Sequence, residues 1–199
     1  VVAGSFIEHF GEGIRPTDLF VLVSQSGETK DVINVLNMLT ARGMANNVLG
    51  VVNVLGSTLM MRSRRHLPLL SNLEIAVAAT KTFINQSVLF LALAIEVAKL
   101  KGRAGDLPET LDKTPKAIKD TINQMNGWAK ELAEKYKDCV DMYTLGYGAT
   151  YGSALEAAQK IKEISYAHCE GLYSAEFKHG PLAKIGRASC RKECRLTCR

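Results

Sequence analysis

Hydroxyl-bearing residues crowd a short segment that follows an apolar run. Ser24, Ser26 and Thr29 lie in the motif SQSGET, which comes after Leu19–Val23 and before the helix-periodic segment Asp31–Arg42. A turn that joins a buried strand to a helix exposes the first N–H groups of that helix, at the positive end of its dipole. Neutral hydroxyl donors beside them suit a phosphate that keeps both charges. The motif therefore predicts a phosphate site, although a simple helix N-cap with a turn explains the same residues.

A second group of residues capable of chemistry lies near the end of the chain. Lys160 and Glu163 are three positions apart on a predicted helix and share one face. His179 follows in a loop, before a Gly-Pro turn that would present the imidazole outward. A carboxylate, an ammonium and an imidazole near a phosphate site suit sugar-phosphate isomerisation, in which protons move between adjacent carbons. The alternative is a surface ion pair of Lys160 with Glu156 or Glu163, beside a solvated histidine.

The elements expected to position these residues alternate between strands and helices. Such alternation predicts a parallel α/β sheet whose ligands bind at the carboxyl ends of strands, where SQSGET lies. The predicted elements are, in chain order, strand Leu19–Val23, helix Asp31–Arg42, strands Val48–Val54 and His66–Leu70, helix Ala76–Leu100, a helix starting at Thr114-Pro115, strand Val140–Leu145 and helix Ser153–Tyr166.

The domain organisation follows from the restart of this pattern late in the chain. Residues 1–105 predict a first α/β domain, and 106–136 predict a linker and a helix. Residues 137–185 repeat strand, glycine turn and helix, as at the start of a second, related domain. Residues 186–199 are interpreted as a tail that is not native, because they lose the apolar periodicity and hold three of the five cysteines. We expect Cys139 and Cys169 to be reduced core thiols.

Composition excludes several classes of function. Most of the formal net charge of +5 falls in the tail, so no nucleic-acid partner is predicted. The longest unbroken apolar run, Val88–Ile95, is too short to span a bilayer and predicts a buried helix core. No basic leader precedes an apolar segment, so we expect a cytoplasmic protein without a membrane partner. Phosphate-loop and dinucleotide fingerprints are both absent, and nothing calls for a metal, nucleotide or flavin cofactor.

Four motifs resemble, in the same order, those of a known family. They are SQSGET at Ser24–Thr29, EIAVAATK at Glu74–Lys81, KIKEISY at Lys160–Tyr166 and EFKHGP at Glu176–Pro181. From residue 5 to about residue 185 the chain resembles the isomerase half of glutamine–fructose-6-phosphate amidotransferase, the glucosamine-6-phosphate synthase built on paired sugar-isomerase (SIS) domains. SQSGET marks SIS domains broadly, whereas KEISY followed by KHGP is more specific to the synthase and its close relatives.

The resemblance implies both a fold and a substrate. The fold is a parallel-sheet, helix-flanked SIS domain of flavodoxin-like type, followed by a truncated second SIS domain. The activity is the synthesis of glucosamine 6-phosphate from fructose 6-phosphate and glutamine-derived ammonia. The residues implied to bind the sugar phosphate are Ser24, Gln25, Ser26 and Thr29, with backbone at Val77 and Ala78 along the sugar.

The resemblance also implies catalytic roles and partners. Glu163 would move the proton between C1 and C2, with Lys160 beside it. His179 would assist ring opening and, in this family, reaches the site of the neighbouring subunit, which implies a homodimer. A covalently linked glutaminase domain would supply ammonia in the complete protein.

The sequence departs from the family pattern in three respects. Ala79 stands where the family usually has a serine, so one hydroxyl to the sugar is lost. Arg62–Leu70 replaces a usually acidic segment. We also expect this chain to lack the glutaminase domain, the first SIS strand with its serine-bearing loop, and the carboxy-terminal lysine that acts on the open sugar. We therefore expect the 199-residue chain by itself to be inactive.

Two other functions stay open at this point. One is a glutaminase-free SIS enzyme, such as a sugar-phosphate deaminase or a deglycase of a phosphorylated sugar–amine adduct. The other is a regulatory SIS module that senses a sugar phosphate without turnover. A sensor needs the SQSGET loop but not Glu163 and His179 together, so their joint presence favours an enzyme.

Overall fold

The computed structural model describes residues 2–183 and confirms the predicted α/β class. Helices and strands alternate through most of this range, and all strand pairs are parallel. The elements are α1 (Ala3–Phe10), β1 (Phe20–Ser24), α2 (Lys30–Ala41), β2 (Val48–Val52), α3 (Thr58–Arg62), β3 (Arg65–Pro68), α4 (Lys81–Leu100), α5 (Leu107–Tyr136), β4 (Asp141–Gly146), α6 (Thr150–Ser165) and β5 (His168–Tyr173), with a 3₁₀ turn at Ala45–Asn47.

The chain divides into two units. The first contains the chain up to Ile75 together with Ala79–Asp112, and the second contains Ala76–Ala78 and the chain from Lys113 onward. The first unit holds a three-stranded sheet in the order β1-β2-β3, and the second holds the pair β4-β5. The finer domain boundaries drawn from the sequence stay a prediction.

The core of the first unit forms where α2 covers the sheet. The stripe expected on this helix is confirmed, because Val32, Val35, Leu36 and Leu39 are its buried residues. Burial of each such side chain contributes about 1.5–3 kcal/mol relative to exposure. β1 pairs with β2 in a register that ends at Ser24, opposite Val52. The SQSGET loop therefore starts at the carboxyl end of β1.

The second unit is built from small residues that let α6 lie close to the β4-β5 pair. Ala154 and Ala158 are the buried residues of α6. A Cβ placed on Gly171 of β5 would come within 2.8 Å of the Leu155 Cα. The Thr144 hydroxyl donates to the Ala154 carbonyl at 2.7 Å and ties β4 to the helix. This packing holds α6, and hence Lys160 and Glu163, against a short parallel sheet.

Two helix starts differ from the prediction. α4 begins at Lys81 rather than at Ala76. The carboxylate of Glu74 caps the helix at Thr82, so the residues that follow Glu74, up to Thr80, lie outside the helix. α5 begins at Leu107, so the expected linker is largely helical and Pro115 lies inside the helix instead of at its first turn. Pro108 occupies the first turn, where the missing N–H has no intrahelical acceptor to lose.

The predicted burial of Val88–Ile95 is wrong for this chain. Within α4 only Thr82 and Ile95 are buried, because the described part of the chain places little against the rest of the helix. Among residues 2–183, α4 alone has the length and composition of a membrane-spanning helix. Core helices of soluble proteins pass the same test. The Asn85 amide of α4 donates to the Leu69 carbonyl at 3.0 Å, which joins the helix to its own unit.

The predictions about the cysteines have different outcomes, and some elements were not predicted. Cys169 is a buried free thiol as expected, but Cys139 is exposed because it follows the end of α5 outside any packed face. Three short elements that the sequence reading missed are α1, α3 and β5. The cysteine-rich tail, with Cys190, Cys194 and Cys198, lies outside the described residues.

Candidate functional site

The hydroxyls of the SQSGET loop first of all organise the loop itself. Ser24 is buried, and its Oγ accepts a hydrogen bond from the Gly27 N–H at 2.9 Å. The same oxygen shares a hydrogen bond of 2.8 Å with the Thr29 hydroxyl. The Ser26 Oγ accepts from the Glu28 N–H at 3.2 Å. The loop is therefore a preformed turn, with Ser24 and Thr29 linked across it at the start of α2.

Donor groups of this loop are available at its surface. The Gln25 carbonyl accepts from the N–H groups of Asn53 and Val54 at 3.1 and 3.3 Å, which fixes the backbone while leaving the side-chain amide without a partner within residues 2–183. The Ser26 hydroxyl keeps its own O–H to donate. The first N–H groups of α2, at Lys30 and beyond, have no intrahelical acceptors. These groups donate rather than accept, as a phosphate requires.

Glu28, the acid of SQSGET, is a structural tie that the sequence reading missed. Its carboxylate accepts the Thr58 N–H at 2.6 Å, across thirty positions of sequence. This backbone hydrogen bond, with a smaller one from the Thr58 hydroxyl, lowers the pKa of the Glu28 carboxyl. An ionised Glu28 thus joins the loop after β1 to the start of α3, after β2. The signal available in sequence was only a glutamate two positions before a helix, which does not identify a partner so distant.

The carboxylate of Glu74 makes hydrogen bonds across the segment that contains Val77 and Ala78. The Glu74 Oε2 accepts from the Thr82 N–H at 3.1 Å and from the Thr82 hydroxyl at 2.9 Å. The Lys81 ammonium donates to the Leu73 carbonyl at 2.6 Å. The segment is pinned at both ends, with Val77 94% exposed and Ala78 buried. Sequence reading missed this role of Glu74 because it placed the helix start at Ala76.

The cap formed by Glu74 makes stability depend on pH. The Thr82 N–H, more than any other group, lowers the pKa of the Glu74 carboxyl. A lowered folded pKa stabilises the protein above the ordinary value of 4.5, and that stabilisation is lost as the pH falls through the folded pKa. We expect Glu74→Gln to lower the urea midpoint at pH 7, and the difference from the unaltered chain to shrink on acidification. The matched control is Glu12→Gln on an exposed loop; an equal effect there would contradict the assignment.

The α6 residues form an ion-paired cluster. The Lys160 ammonium lies 2.6 Å from the Glu163 Oε2 and 3.4 Å from the Glu156 Oε1. The Gln159 amide donates to the other oxygen of Glu163, Oε1, at 3.0 Å. The side chains of Lys160 and Glu163 are 21% and 25% exposed, so the pair is partly buried rather than fully solvated. The structure therefore pairs Lys160 with both carboxylates that the sequence offered.

The two groups hold each other in the charged form. The hydrogen bond from Lys160, followed by that from Gln159, lowers the pKa of the Glu163 carboxyl. Burial alone would lower the pKa of the Lys160 ammonium, but the hydrogen bond from Glu163 and the charges of Glu163 and Glu156 outweigh burial and raise it. At neutral pH Glu163 is therefore a carboxylate able to accept a proton, beside an ammonium able to balance negative charge.

His179 lies in the turns that follow β5. Its backbone N–H donates to the Glu176 carbonyl at 3.0 Å. Within residues 2–183 its imidazole makes no hydrogen bond with Lys160 or Glu163. The structure thus brings together Ser24, Ser26 and Thr29 in one unit and Lys160 with Glu163 in the other, and within residues 2–183 it shows no hydrogen bond from the His179 side chain to that pair.

The fold and its loops define a class of protein. Parallel strands run into helices through polar turns at their carboxyl ends, which is the arrangement of α/β proteins that bind ligands at that edge. The sequence pattern of the SIS domain family matches residues 3–96 and 135–190. The chain belongs to the SIS domain family.

Three individual proteins that resemble this chain are more specific than the family. The chain is 39% identical over 168 residues to the glutamine–fructose-6-phosphate aminotransferase (isomerizing) of Pyrococcus horikoshii, a match that covers 84% of this chain and 28% of that protein. It is similar to the C-terminal domain of glucosamine-fructose-6-phosphate aminotransferase from Francisella tularensis, with a TM-score of 0.77, 30% identity, and coverage of 92% of this chain and 56% of that one. A Thermotoga maritima glucosamine-6-phosphate deaminase gives a TM-score of 0.68 at 25% identity, covering 91% and 53% of the two chains. The chain spans roughly 30% of the length of the curated relatives it matches.

Proposed function

We propose that this chain is part of the isomerase region of a glutamine–fructose-6-phosphate aminotransferase. The complete enzyme would form glucosamine 6-phosphate from fructose 6-phosphate and ammonia released from glutamine. The observation that carries the proposal is the partly buried pair Lys160–Glu163, which lies in the KEISY motif and keeps a carboxylate ionised. The likeness to the P. horikoshii and F. tularensis enzymes supports the same reaction.

The SQSGET loop would bind the phosphate group of the sugar. Gln25 and Ser26 offer side-chain donors, and the start of α2 offers backbone N–H groups. Ser24 and Thr29 shape the turn through their mutual hydrogen bond and add hydroxyl oxygens at its base. The backbone at Val77 and Ala78 would line the sugar, held in place by the Glu74 cap.

Glu163 would carry out the proton transfers of the isomerisation. Its carboxylate takes a proton from one of the two carbons, C1 or C2, and the C–H electron pair becomes part of an enediolate or enolamine. Return of that proton to the neighbouring carbon completes the shift. The Lys160 ammonium would balance the negative charge that develops, and the imidazole of His179 would assist ring opening.

Further partners belong to the proposal. We place the chain in a homodimer, in which His179 would serve the neighbouring subunit, and in a longer protein with a covalently linked glutaminase domain. We place that protein in the cytoplasm, with no nucleic-acid or membrane partner. The domain plan is a first SIS domain over residues 1–105, a linker and helix over 106–136, the start of a second SIS domain over 137–185, and a non-native tail over 186–199.

A second enzymatic function has one observation in its favour. The similarity of the fold to a T. maritima protein named glucosamine-6-phosphate deaminase supports a sugar-phosphate deaminase as the alternative. The deaminase is less similar to this chain than the aminotransferases are, at 25% against 30% and 39% identity. A sugar-phosphate sensor would not need the Lys160–Glu163 pair.

The proposal is tested first on binding. We expect the purified chain to bind fructose 6-phosphate more tightly than fructose, as measured by calorimetry, because the loop recognises the phosphate. Ser26→Ala should weaken that binding about ten- to a hundredfold through loss of one hydrogen bond to a charged group. Ser87→Ala on the exposed face of α4 is the control and should leave it unchanged.

The same preparation tests the expected inactivity of the chain by itself. We expect no glucosamine 6-phosphate from fructose 6-phosphate and ammonia, since the chain spans only about 30% of the length of the aminotransferases that it resembles. Product formation by the purified chain would overturn this expectation. Equal affinity for fructose and fructose 6-phosphate would overturn the assignment of the loop.

A further inference from the structure

Gln159 contacts the carboxylate oxygen of Glu163 that Lys160 does not contact. The Lys160 ammonium occupies Oε2 of the carboxylate at 2.6 Å, and the Gln159 amide donates to Oε1 at 3.0 Å. All three residues lie on α6, so their arrangement depends on a single helix. We propose that Gln159 is a positioning residue that orients Oε1 of Glu163, the oxygen that carries the proton during isomerisation while Lys160 holds Oε2. This inference rests on the proposed function, because it assigns a proton transfer to Glu163.

The two oxygens of Glu163 differ in what a proton would displace. Protonation of Oε2 would sacrifice a short, charge-assisted hydrogen bond to an ammonium, which can only donate. Protonation of Oε1 would disturb only a hydrogen bond from a neutral amide, which lacks the attraction between two full opposite charges. The incoming proton therefore goes to Oε1, and the ammonium stays on Oε2 throughout.

A glutamine, unlike a lysine, can serve both protonation states of its neighbour. Its NH₂ group donates to the carboxylate, and after rotation of the amide its carbonyl oxygen accepts from the O–H of the carboxylic acid. In the forward step the C–H bond breaks, its electron pair stays on the substrate, and the proton forms the O–H bond at Oε1. In the return step that O–H bond breaks and the proton joins the neighbouring carbon. No other reactant is needed.

The described groups that contact the Glu163 carboxylate lie on its own helix, α6. Lys160 contacts it directly, and Glu156 reaches it only through Lys160. The strands packed against α6 carry Asp141, His168 and Glu170, which pair among themselves at distances of 2.8 and 3.2 Å. The loss of Gln159 is therefore expected to act on Glu163 without a compensating donor from β4 or β5.

The experiment uses Gln159→Met, which keeps the length of the side chain and removes the amide. Gln124→Met on the exposed face of α5 is the control. In the 199-residue chain, NMR titration of the Glu163 side-chain carboxyl should show a higher midpoint for Gln159→Met and no change for Gln124→Met. Gln159→Glu should raise the midpoint further, because it replaces a donor with a like charge.

The kinetic readout uses the complete enzyme that contains this chain. Gln159→Met should lower kcat about three- to tenfold, leave KM unchanged, and move the acid limb of the pH profile upward. An unmoved NMR midpoint would overturn the contact itself, whatever the reaction is. A raised midpoint with unaltered kcat and pH profile would reduce Gln159 to a structural role and overturn the proposal. Failure of the proposed function is seen separately, as retained turnover when Glu163 itself is replaced.

Discussion

Glu163→Gln is expected, under the proposed function, to remove most of the turnover of the complete enzyme while leaving its affinity for fructose 6-phosphate intact. The glutamine side chain has nearly the shape of glutamate but cannot accept the substrate proton. General-base catalysis by a side chain contributes about 10²–10⁴-fold, so kcat should fall by that factor. The residues proposed to bind the phosphate lie in the SQSGET loop and not on α6, so KM and direct binding should change little.

Proton exchange makes this prediction specific. In D₂O the unaltered enzyme should exchange the C1 proton of the substrate with solvent, and Glu163→Gln should not. The control is Glu131→Gln, an exposed position of α5 far along the chain from the motif, which should keep full turnover. Unchanged exchange and turnover in Glu163→Gln would rule out the assigned role. Loss of binding together with turnover would indicate a folding defect, which circular dichroism and the urea midpoint detect.

Gly27→Ala is expected to unfold the SQSGET loop, with a large loss of stability. Gly27 has a φ of 71°, in the left-handed region, where an L side chain costs about 1–2 kcal/mol. A Cβ at this position would lie 2.1 Å from the Ser57 Oγ and 2.4 Å from the Ser57 Cβ, both closer than atoms can approach. Ser57 is buried, so its side chain cannot relieve the clash by swinging out into solvent. We expect a total loss of about 3 kcal/mol or more in the free energy of unfolding, together with loss of sugar-phosphate binding.

Two further variants separate the conformational cost of an alanine at a positive φ from the clash with Ser57. Gly43 has nearly the same conformation, with a φ of 73°, but nothing lies within 4 Å of the position of a Cβ. Gly43→Ala should therefore show the conformational cost alone, about 1–2 kcal/mol. Adding Ser57→Gly to Gly27→Ala removes both clashing atoms and should recover part of the stability. Equal urea midpoints for Gly27→Ala and Gly43→Ala would contradict a steric role for Ser57.

Local patterns were sufficient for the elements that have one apolar face. The stripe of Val32, Val35, Leu36 and Leu39 predicted α2 and its buried side, because helical periodicity alone decides which residues face a sheet. The strands β1 and β2 were predicted within two residues from their short apolar and β-branched runs. The SQSGET motif marked the loop, and the spacing of Lys160 and Glu163 predicted their contact, since both ends of that contact lie on one turn of helix.

Helix starts depended on interactions that local patterns do not contain. The start of α4 is set by the Glu74 cap at Thr82, eight positions away. Apolar periodicity extended the helix back to Ala76 because alanine and valine fit that pattern equally well inside or outside the helix. Because prolines are common in the first turn of a helix, Pro115 predicted a helix start. In the structure, however, α5 begins at Leu107 and continues through Pro115.

The sequence by itself thus determined the α/β class, the family, and the short-range chemistry of the loop and of α6. Only the tertiary structure showed that Glu28 joins the loop to Thr58, that Gly27 lies against Ser57, and that Gln159 and Lys160 divide the two oxygens of Glu163. The first two contacts join positions some thirty residues apart, which neither helical nor strand periodicity relates. The third depends on side-chain rotamers, because a four-residue spacing permits the hydrogen bond but does not specify which oxygen accepts it.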